Sequence, residues 1–161
     1  MAKSLEEGLI KFDKGDYGGA ISLYDIGLEE DPYNPVLFYN RALAFQSINK
    51  IKLAIKDYSK AIEIDPLFTN AFYNRGILYV SQKKYKKAID DYNQAIITDN
   101  NHEDAYFNRG IAYESLGEFD RAFVDYEMAI KLNPKFSSAL NNIGIIKSLS
   151  LIHISEPTRP Y

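Results

Sequence analysis

Four asparagines recur at intervals of 34 residues, and their side chains are the clearest candidates for binding chemistry in this sequence. They are Asn40, Asn74, Asn108 and Asn142. An asparagine side chain offers one carbonyl acceptor and two N–H donors, so it can pair with the backbone of an extended peptide without reading that peptide's side chains. Aromatic and aliphatic residues accompany the asparagines at fixed offsets: Tyr39, Tyr73 and Phe107, then Leu43, Ile77 and Ile111.

The sequence shows no arrangement typical of catalysis or of a metal site. It has no glycine-rich phosphate loop and no HExxH pair, and it has no cysteine. His102 lies in a turn and His153 near the C-terminus, and neither has partners that would converge on it. The carboxylates of residues 29–31 are best interpreted as a solvated helix end. We therefore expect a non-enzymatic protein without a cofactor or a metal ion.

Charge and composition point to a protein or peptide partner. The 161 residues are 46% hydrophobic and 25% charged, with a net charge of -3, which favours a folded chain with no broad attraction to phosphate or anionic lipid. The lysine run at 83, 84, 86 and 87 could contact nucleic acid or an acidic partner, but no base-stacking aromatic platform is suggested beside it. We expect no nucleic acid and no membrane among the partners. Without a signal peptide or a long apolar stretch, the default location is cytoplasmic.

The asparagines belong to a repeat that covers most of the sequence. Small residues recur every 34 positions, as do tyrosines: Gly8, Ala42, Gly76, Gly110 and Gly144; Ala20, Ala54, Ala88 and Ala122; Tyr24, Tyr58, Tyr92 and Tyr126; Gly27, Ala61, Ala95 and Ala129. Within each unit, apolar residues recur at intervals of three and four residues, which predicts two amphipathic helices. Gly15, Asn49 and Gly117 fall where the first helix ends and favour a left-handed backbone there. Asp-Pro steps at 31–32 and 65–66 end the second helix.

An arginine and an aspartate, 16 residues apart, occur together in three of the units. The pairs are Arg41 with Asp57, Arg75 with Asp91, and Arg109 with Asp125. The first unit lacks both members, since it carries Glu7 and Leu23 at these positions. This joint presence predicts a bidentate ion pair between the two helices of a unit, although duplication of one unit would leave the same pattern.

The 34-residue unit resembles the tetratricopeptide repeat family, which carries small residues at unit positions 8, 20 and 27, aromatics at 4, 11, 17 and 24, and proline at 32. The resemblance runs from residue 1 to about 148, as units 1–34, 35–68, 69–102, 103–136 and a partial unit 137–148. It implies an all-α, right-handed superhelical solenoid of antiparallel helix pairs. Local departures are the absence of the family's usual tryptophan, Asn100 in place of proline, and Lys83-Lys84 in place of a Gly-Asp turn.

In this family, one side of each first helix lines a concave groove. The resemblance thus implies that the asparagines and their apolar neighbours bind a peptide there. The alternative is that each asparagine only ties neighbouring helices together and that Tyr39, Tyr73 and Phe107 pack mainly against the next repeat. The two functions considered are a scaffold or adaptor that binds a peptide, and the targeting repeats of a larger, truncated enzyme such as a transferase.

The C-terminal end differs from the rest. Residues 149–161 resemble the translation of a sequencing-library adapter, so we interpret them as a suspected non-native tail or assembly artefact, the alternative being a natural, poorly ordered tail. The first helix of the fifth unit has no polar capping helix after it. An apolar end of this kind predicts self-association.

Overall fold

A computed structural model describes residues 3–155, with side chains described over residues 3–148. In this part of the chain the secondary structure consists of helices alone. They are α1 (Lys3–Asp13), α2 (Tyr17–Glu30), α3 (Pro35–Ser47), α4 (Ile51–Ile64), α5 (Thr69–Ser81), α6 (Tyr85–Thr98), α7 (Glu103–Ser115), α8 (Phe119–Leu132) and α9 (Ser137–Ser155). Helices α1, α3, α5 and α7 each pack against the next helix, and each of these pairs packs against the helix that follows it. The predicted all-α solenoid of helix pairs is confirmed.

The core consists of the residues that recur every 34 positions. The four tyrosines of the second helices are almost fully buried: Tyr24, Tyr58, Tyr92 and Tyr126. The alanines of the same series, such as Ala54 and Ala61 on α4, expose no surface. Small residues at these positions bring the helix axes close together, and the tyrosine rings fill the space between them.

Three glycines of the first helices, Gly8, Gly76 and Gly110, lie against tyrosine rings of the second helices. A Cβ atom at Gly76 would stand 2.7 Å from the ring of Tyr92, and one at Gly110 would stand 2.6 Å from the ring of Tyr126. Such contacts would push the ring out of its place. In these units the glycine leaves space for the tyrosine ring, whereas the second unit accommodates Ala42 at the same position.

The turn inside each pair contains a left-handed residue. Gly15 and Gly117 have φ of 77°, and Asn49 has φ of 58°, as the sequence predicts. Lys83 takes the same conformation with φ of 57°, although a Cβ atom makes it unfavourable. The turn of the third unit thus has the same backbone conformation as the others, although a lysine occupies its left-handed position.

The predicted arginine–aspartate pairs are confirmed in all three units. The Nε and Nη2 atoms of Arg75 donate to the two carboxylate oxygens of Asp91 at 2.8 and 2.6 Å. Arg41 and Arg109 bind Asp57 and Asp125 in the same way. The aspartate side chains are only 4–6% exposed, and the arginine side chains 16–19%. Each pair therefore joins the first helix of a unit to the second helix in a largely dry environment.

Each of these arginines also reaches the preceding unit. The Nη1 atom of Arg75 donates to Ser59 Oγ at 2.9 Å, and Nη1 of Arg109 donates to Asn93 Oδ1 at 2.7 Å. In the second unit the acceptor is a carboxylate, Asp25, at 2.6 Å from Nη1 of Arg41. One guanidinium thus connects three helices, and it fixes neighbouring units relative to one another.

The last helix continues past the boundary expected at residue 148. The backbone of α9 is helical to Ser155. The expectation of a non-native tail falls on 149–161, where the side chains of 149–155 and all of 156–161 lie outside the described residues, so it stays a prediction. Among the described residues, no helix combines the length and the apolar content needed to cross a membrane.

Candidate peptide-binding site

The ten residues predicted to bind a peptide lie on the first helices of the second to fifth units. Helices α3, α5 and α7 each carry an aromatic residue, an asparagine and an aliphatic residue, and α9 carries Asn142. All ten side chains are half-buried. A half-buried side chain is held in place by its neighbours and still reaches the surface, which is the situation that a binding site needs.

Two of the amides bind tyrosines of the preceding unit. The Nδ2 atom of Asn74 donates to the hydroxyl oxygen of Tyr39 at 3.0 Å, and Nδ2 of Asn108 donates to that of Tyr73 at 2.9 Å. Each contact joins one first helix to the next. The structure thus brings four of the predicted site residues together as two equivalent pairs.

The ten predicted residues form what we call the peptide-binding row. The asparagines at its two ends have other partners. Asn40 donates from Nδ2 to the carbonyl oxygen of Val36 at 2.8 Å, one turn earlier in the same helix. Asn142 interacts with the hydroxyl of Tyr126. In the unit before Asn40 the position of Tyr39 is occupied by Leu5, and in the unit before Asn142 it is occupied by Phe107. Neither residue has a hydroxyl group that could accept the hydrogen bond.

The aromatic residues pack against rings of their own unit. The ring centroid of Tyr39 lies 4.9 Å from that of Phe68, Tyr73 lies 4.6 Å from His102, and Phe107 lies 4.7 Å from Phe136. Each also lies 5.6–6.1 Å from the buried tyrosine of its second helix. These contacts fix the orientation of each ring within the row.

Burial changes the ionisation of the two tyrosines in the row. It raises the pKa of Tyr73 to about 12, with a further contribution from the nearby carboxylate of Asp104, while the hydrogen bond from Asn108 opposes the rise. Burial also raises the pKa of Tyr39, against the hydrogen bond from Asn74. Both hydroxyls are therefore neutral at physiological pH and remain acceptors for the amides.

The hydrogen bonds leave each central amide with unused capacity. Within the side chains that the structure describes, no group donates to Oδ1 of Asn74 or Asn108, and one N–H of each amide is used. One acceptor and one donor per amide remain, which matches the needs of one peptide unit. The sequence allows two alternative roles for each asparagine, joining neighbouring helices or binding a peptide. At these two positions the two roles are compatible.

His102 caps a helix and stacks on the aromatic row. Its Nδ1 atom accepts a hydrogen bond from the backbone N–H of Ala105 at 3.3 Å, at the start of α7. The sequence placed this histidine in a turn but did not indicate its contact with Tyr73. The available signal was its place in the repeat, since it occupies the unit position of Phe68 and Phe136. In the part of the chain with described side chains, no three metal-binding side chains cluster.

Models of known repeat families match the central part of the chain. A tetratricopeptide repeat model matches residues 35–68 and 103–136, a second one matches 57–90, and a TPR repeat model matches 76–117. Among curated proteins, RNA polymerase II-associated protein 3 of Rattus norvegicus and of Homo sapiens is 44% identical over 52 residues. This match spans 32% of the chain and only 8% of each of those proteins.

Solved structures match over most of the length. MamA is 31% identical with a TM-score of 0.85, and the match covers 89% of this chain and 84% of that one. YrrB, described as a TPR protein with an unusual peptide-binding site, is 23% identical with a TM-score of 0.75, and the match covers 83% of this chain and 69% of that one. At this identity YrrB supports the fold alone.

Proposed function

Because the chain belongs to the tetratricopeptide repeat family, whose fold is a protein–protein interaction scaffold, we propose that it binds an extended peptide of a partner protein along its first helices. The peptide backbone lies along the asparagines, and the aromatic and aliphatic rows bury the peptide's apolar side chains. In this family the side of the first helices that carries them lines the concave groove.

The observation that carries this proposal is the state of the two central amides. Asn74 and Asn108 are oriented by one hydrogen bond each, to Tyr39 and Tyr73, and keep one donor and one acceptor for a ligand. An amide that is already oriented loses little conformational entropy when the peptide binds. The partner's backbone is thereby held at two points one repeat apart.

The test is a double variant, Asn74→Ala with Asn108→Ala, measured against a partner obtained by pull-down with the intact chain. We expect the binding free energy to weaken by about 1–3 kcal/mol, since each amide contributes roughly one net hydrogen bond. Isothermal titration calorimetry gives the affinity. Circular dichroism verifies that the helices remain.

The matched control removes the helix–helix bond and keeps the amides. In Tyr39→Phe with Tyr73→Phe, the asparagines lose their acceptors but retain every group that a peptide needs. We expect this variant to bind within about threefold of the natural chain, because only the orientation of the amides is loosened. Equal losses in both double variants, or an unchanged affinity in the asparagine variant, would mean that the amides serve only to join the helices.

A second candidate function is self-association through the C-terminal end. Leu140 and Ile145 on α9 expose 49% and 46% of their surface. We infer that a second copy covers them, and light scattering at increasing concentration tests this, since a constant molecular mass contradicts it. The alternative of targeting repeats in a larger enzyme finds no support in the comparisons.

A further inference from the structure

Five exposed lysines line the side of the second and third units where α4 and α6 begin. We call them the lysine edge: Lys52, Lys83, Lys84, Lys86 and Lys87. A cleft of about 500 Å³, lined by three of them, lies between α4 and the turn from α5 to α6. Its walls are Lys52, Ile55, Tyr79, Gln82, Lys84 and Lys87. None of these residues belongs to the ten of the peptide-binding row.

The charge of the lysine edge is not neutralised within the fold. Among the side chains that the structure describes, no carboxylate lies within ion-pair distance of these five lysines. Two of them are held by uncharged groups instead. Lys84 Nζ donates to Gln82 Oε1 at 2.6 Å, and Lys87 Nζ lies 5.7 Å from the centre of the Tyr79 ring. The chain as a whole carries a net charge of -3, so this positive region is local.

In the first and fourth units the residue just before the second helix is negatively charged instead of positively charged. Asp16 and Glu118 occupy the position of Lys84. A carboxylate is favoured there, because it can accept from the unpaired N–H groups of the helix and because it complements the positive end of the helix dipole. Asp16 does so, accepting from the N–H of Gly19 at 2.9 Å, whereas the side chains of Lys50 and Lys84 make no capping bond. Helix stability therefore does not explain the lysines of the two middle units.

We propose that the lysine edge is a second docking surface, which binds an acidic peptide segment of a partner protein. The lysines pair with aspartate and glutamate side chains, and an apolar side chain between them enters the cleft against Ile55 and Tyr79. Complementary charge accelerates association and orients the partner. This surface goes beyond the peptide-binding row and does not depend on it.

The chemistry of the cleft favours a peptide over a nucleic acid. Stacking of bases needs an open aromatic face. The ring of Tyr79 is already contacted by Lys87 and, at 5.9 Å, by the guanidinium of Arg75. The five cations of the edge are all lysines, without the arginine fork that pairs with phosphate at two points.

The experiment uses the full chain and a fluorescein-labelled peptide, Glu-Asp-Phe-Glu-Asp, with Gln-Asn-Phe-Gln-Asn as its uncharged counterpart. Fluorescence anisotropy should show binding of the acidic peptide about tenfold or more tighter than that of the uncharged one, and a clear weakening as salt increases. A single-stranded oligothymidylate is titrated in parallel. We expect it to bind more weakly than the acidic peptide.

Charge-reversal variants assign the binding to this surface. Lys84→Glu with Lys87→Glu should weaken the acidic peptide by about tenfold or more, whereas Lys131→Glu with Lys135→Glu, which changes the net charge equally, should leave it nearly unchanged. The Asn74→Ala with Asn108→Ala variant should bind the acidic peptide normally, so this proposal and the previous one can fail separately. Equal binding of the two peptides, equal losses in the two lysine variants, or tighter binding of oligothymidylate would each overturn the proposal.

Discussion

At the residue scale, the arginine at unit position 7 has two partner residues, and with its own helix the contacts join three helices. Its acceptors lie 16 residues before it and 16 residues after it, as with Ser59, Arg75 and Asp91. Burying a carboxylate is costly unless a charged partner and hydrogen bonds compensate, and the bidentate contact provides both. Burial raises the pKa of Asp91, and Arg75 opposes that rise. Losing the arginine alone should therefore leave a buried carboxylate without compensation.

A double-mutant cycle on Arg75 and Asp91 measures this coupling. We expect Asp91→Ala to destabilise the natural chain by about 1–3 kcal/mol more than it destabilises the Arg75→Ala variant, because the interaction is already lost there. Urea denaturation followed by circular dichroism gives the free energies of unfolding.

The exposed pair Arg121–Glu118 is the control for this cycle. Its side chains are 67% and 39% exposed, and we expect a coupling of about 0–1 kcal/mol. If the buried pair couples no more strongly than this exposed one, burial gives the contact no additional strength.

At the element scale, the turn between α5 and α6 has less favourable residues than the equivalent turn before α2. In the first unit the turn has Gly15 in the left-handed region and Asp16 as a cap. In the third unit a lysine takes the left-handed conformation, and the next lysine does not cap the helix. The third unit therefore leaves room for a stabilising substitution.

Restoring the favourable turn with Lys83→Gly and Lys84→Asp should stabilise the chain by about 1–3 kcal/mol. The gain combines relief of the left-handed lysine with a new cap for α6. The midpoint of urea denaturation measures it. The same variant should lose affinity for the acidic peptide, because two charges of the lysine edge are removed.

Asn49→Gly is the matched control, since it changes the same left-handed position one unit earlier. Asparagine tolerates this conformation better than lysine, so we expect a smaller gain, below about 1 kcal/mol. A third-unit variant no more stable than this control would show that the lysine turn carries no strain.

At the scale of the whole molecule, the sequence predicts the solenoid because one periodic pattern sets both the helices and their core. The series of Tyr58 and Ala61 marks the buried faces in every unit, and Asn49 marks the end of a first helix. The pairing of Arg75 with Asp91 was predictable because the first unit lacks both an arginine and an aspartate at the equivalent positions. These features repeat in phase, so one chain contains several copies of the same signal.

Contacts between units were not predictable in the same way. An asparagine that ties neighbouring helices together was one of two alternatives, but its partner Tyr39 depends on how one unit is placed on the next, as does the contact of Arg75 with Ser59. The left-handed Lys83 was missed because its residue type argues against the conformation that the rest of the turn imposes. That the asparagines and their apolar neighbours bind a peptide stays a prediction.

Burial of one tyrosine per unit affects the stability of the whole solenoid at high pH. Burial, together with the carboxylate of Asp13, raises the pKa of Tyr24 to about 12. Burial raises the pKa of Tyr58, Tyr92 and Tyr126 further, and a hydrogen bond to Glu114 contributes for Tyr126. The folded chain thus keeps these protons at a pH where the unfolded chain has released them.

We expect the solenoid to unfold cooperatively on alkaline titration. A raised pKa contributes stability that is complete below the unfolded value of about 10 and is lost as the pH rises through the folded value. Each tenfold difference in proton affinity between the folded and unfolded chain corresponds to about 1.4 kcal/mol. The part of the tyrosinate absorbance near 295 nm that comes from these four buried tyrosines should therefore appear together with the loss of helical circular dichroism, between about pH 10 and 12. Tyr92→Phe keeps the ring and removes one ionisable group, so its free energy of unfolding should fall less steeply with pH than that of the natural chain. The account is wrong if the buried tyrosines ionise while the helices remain intact, or if Tyr92→Phe leaves the slope unchanged.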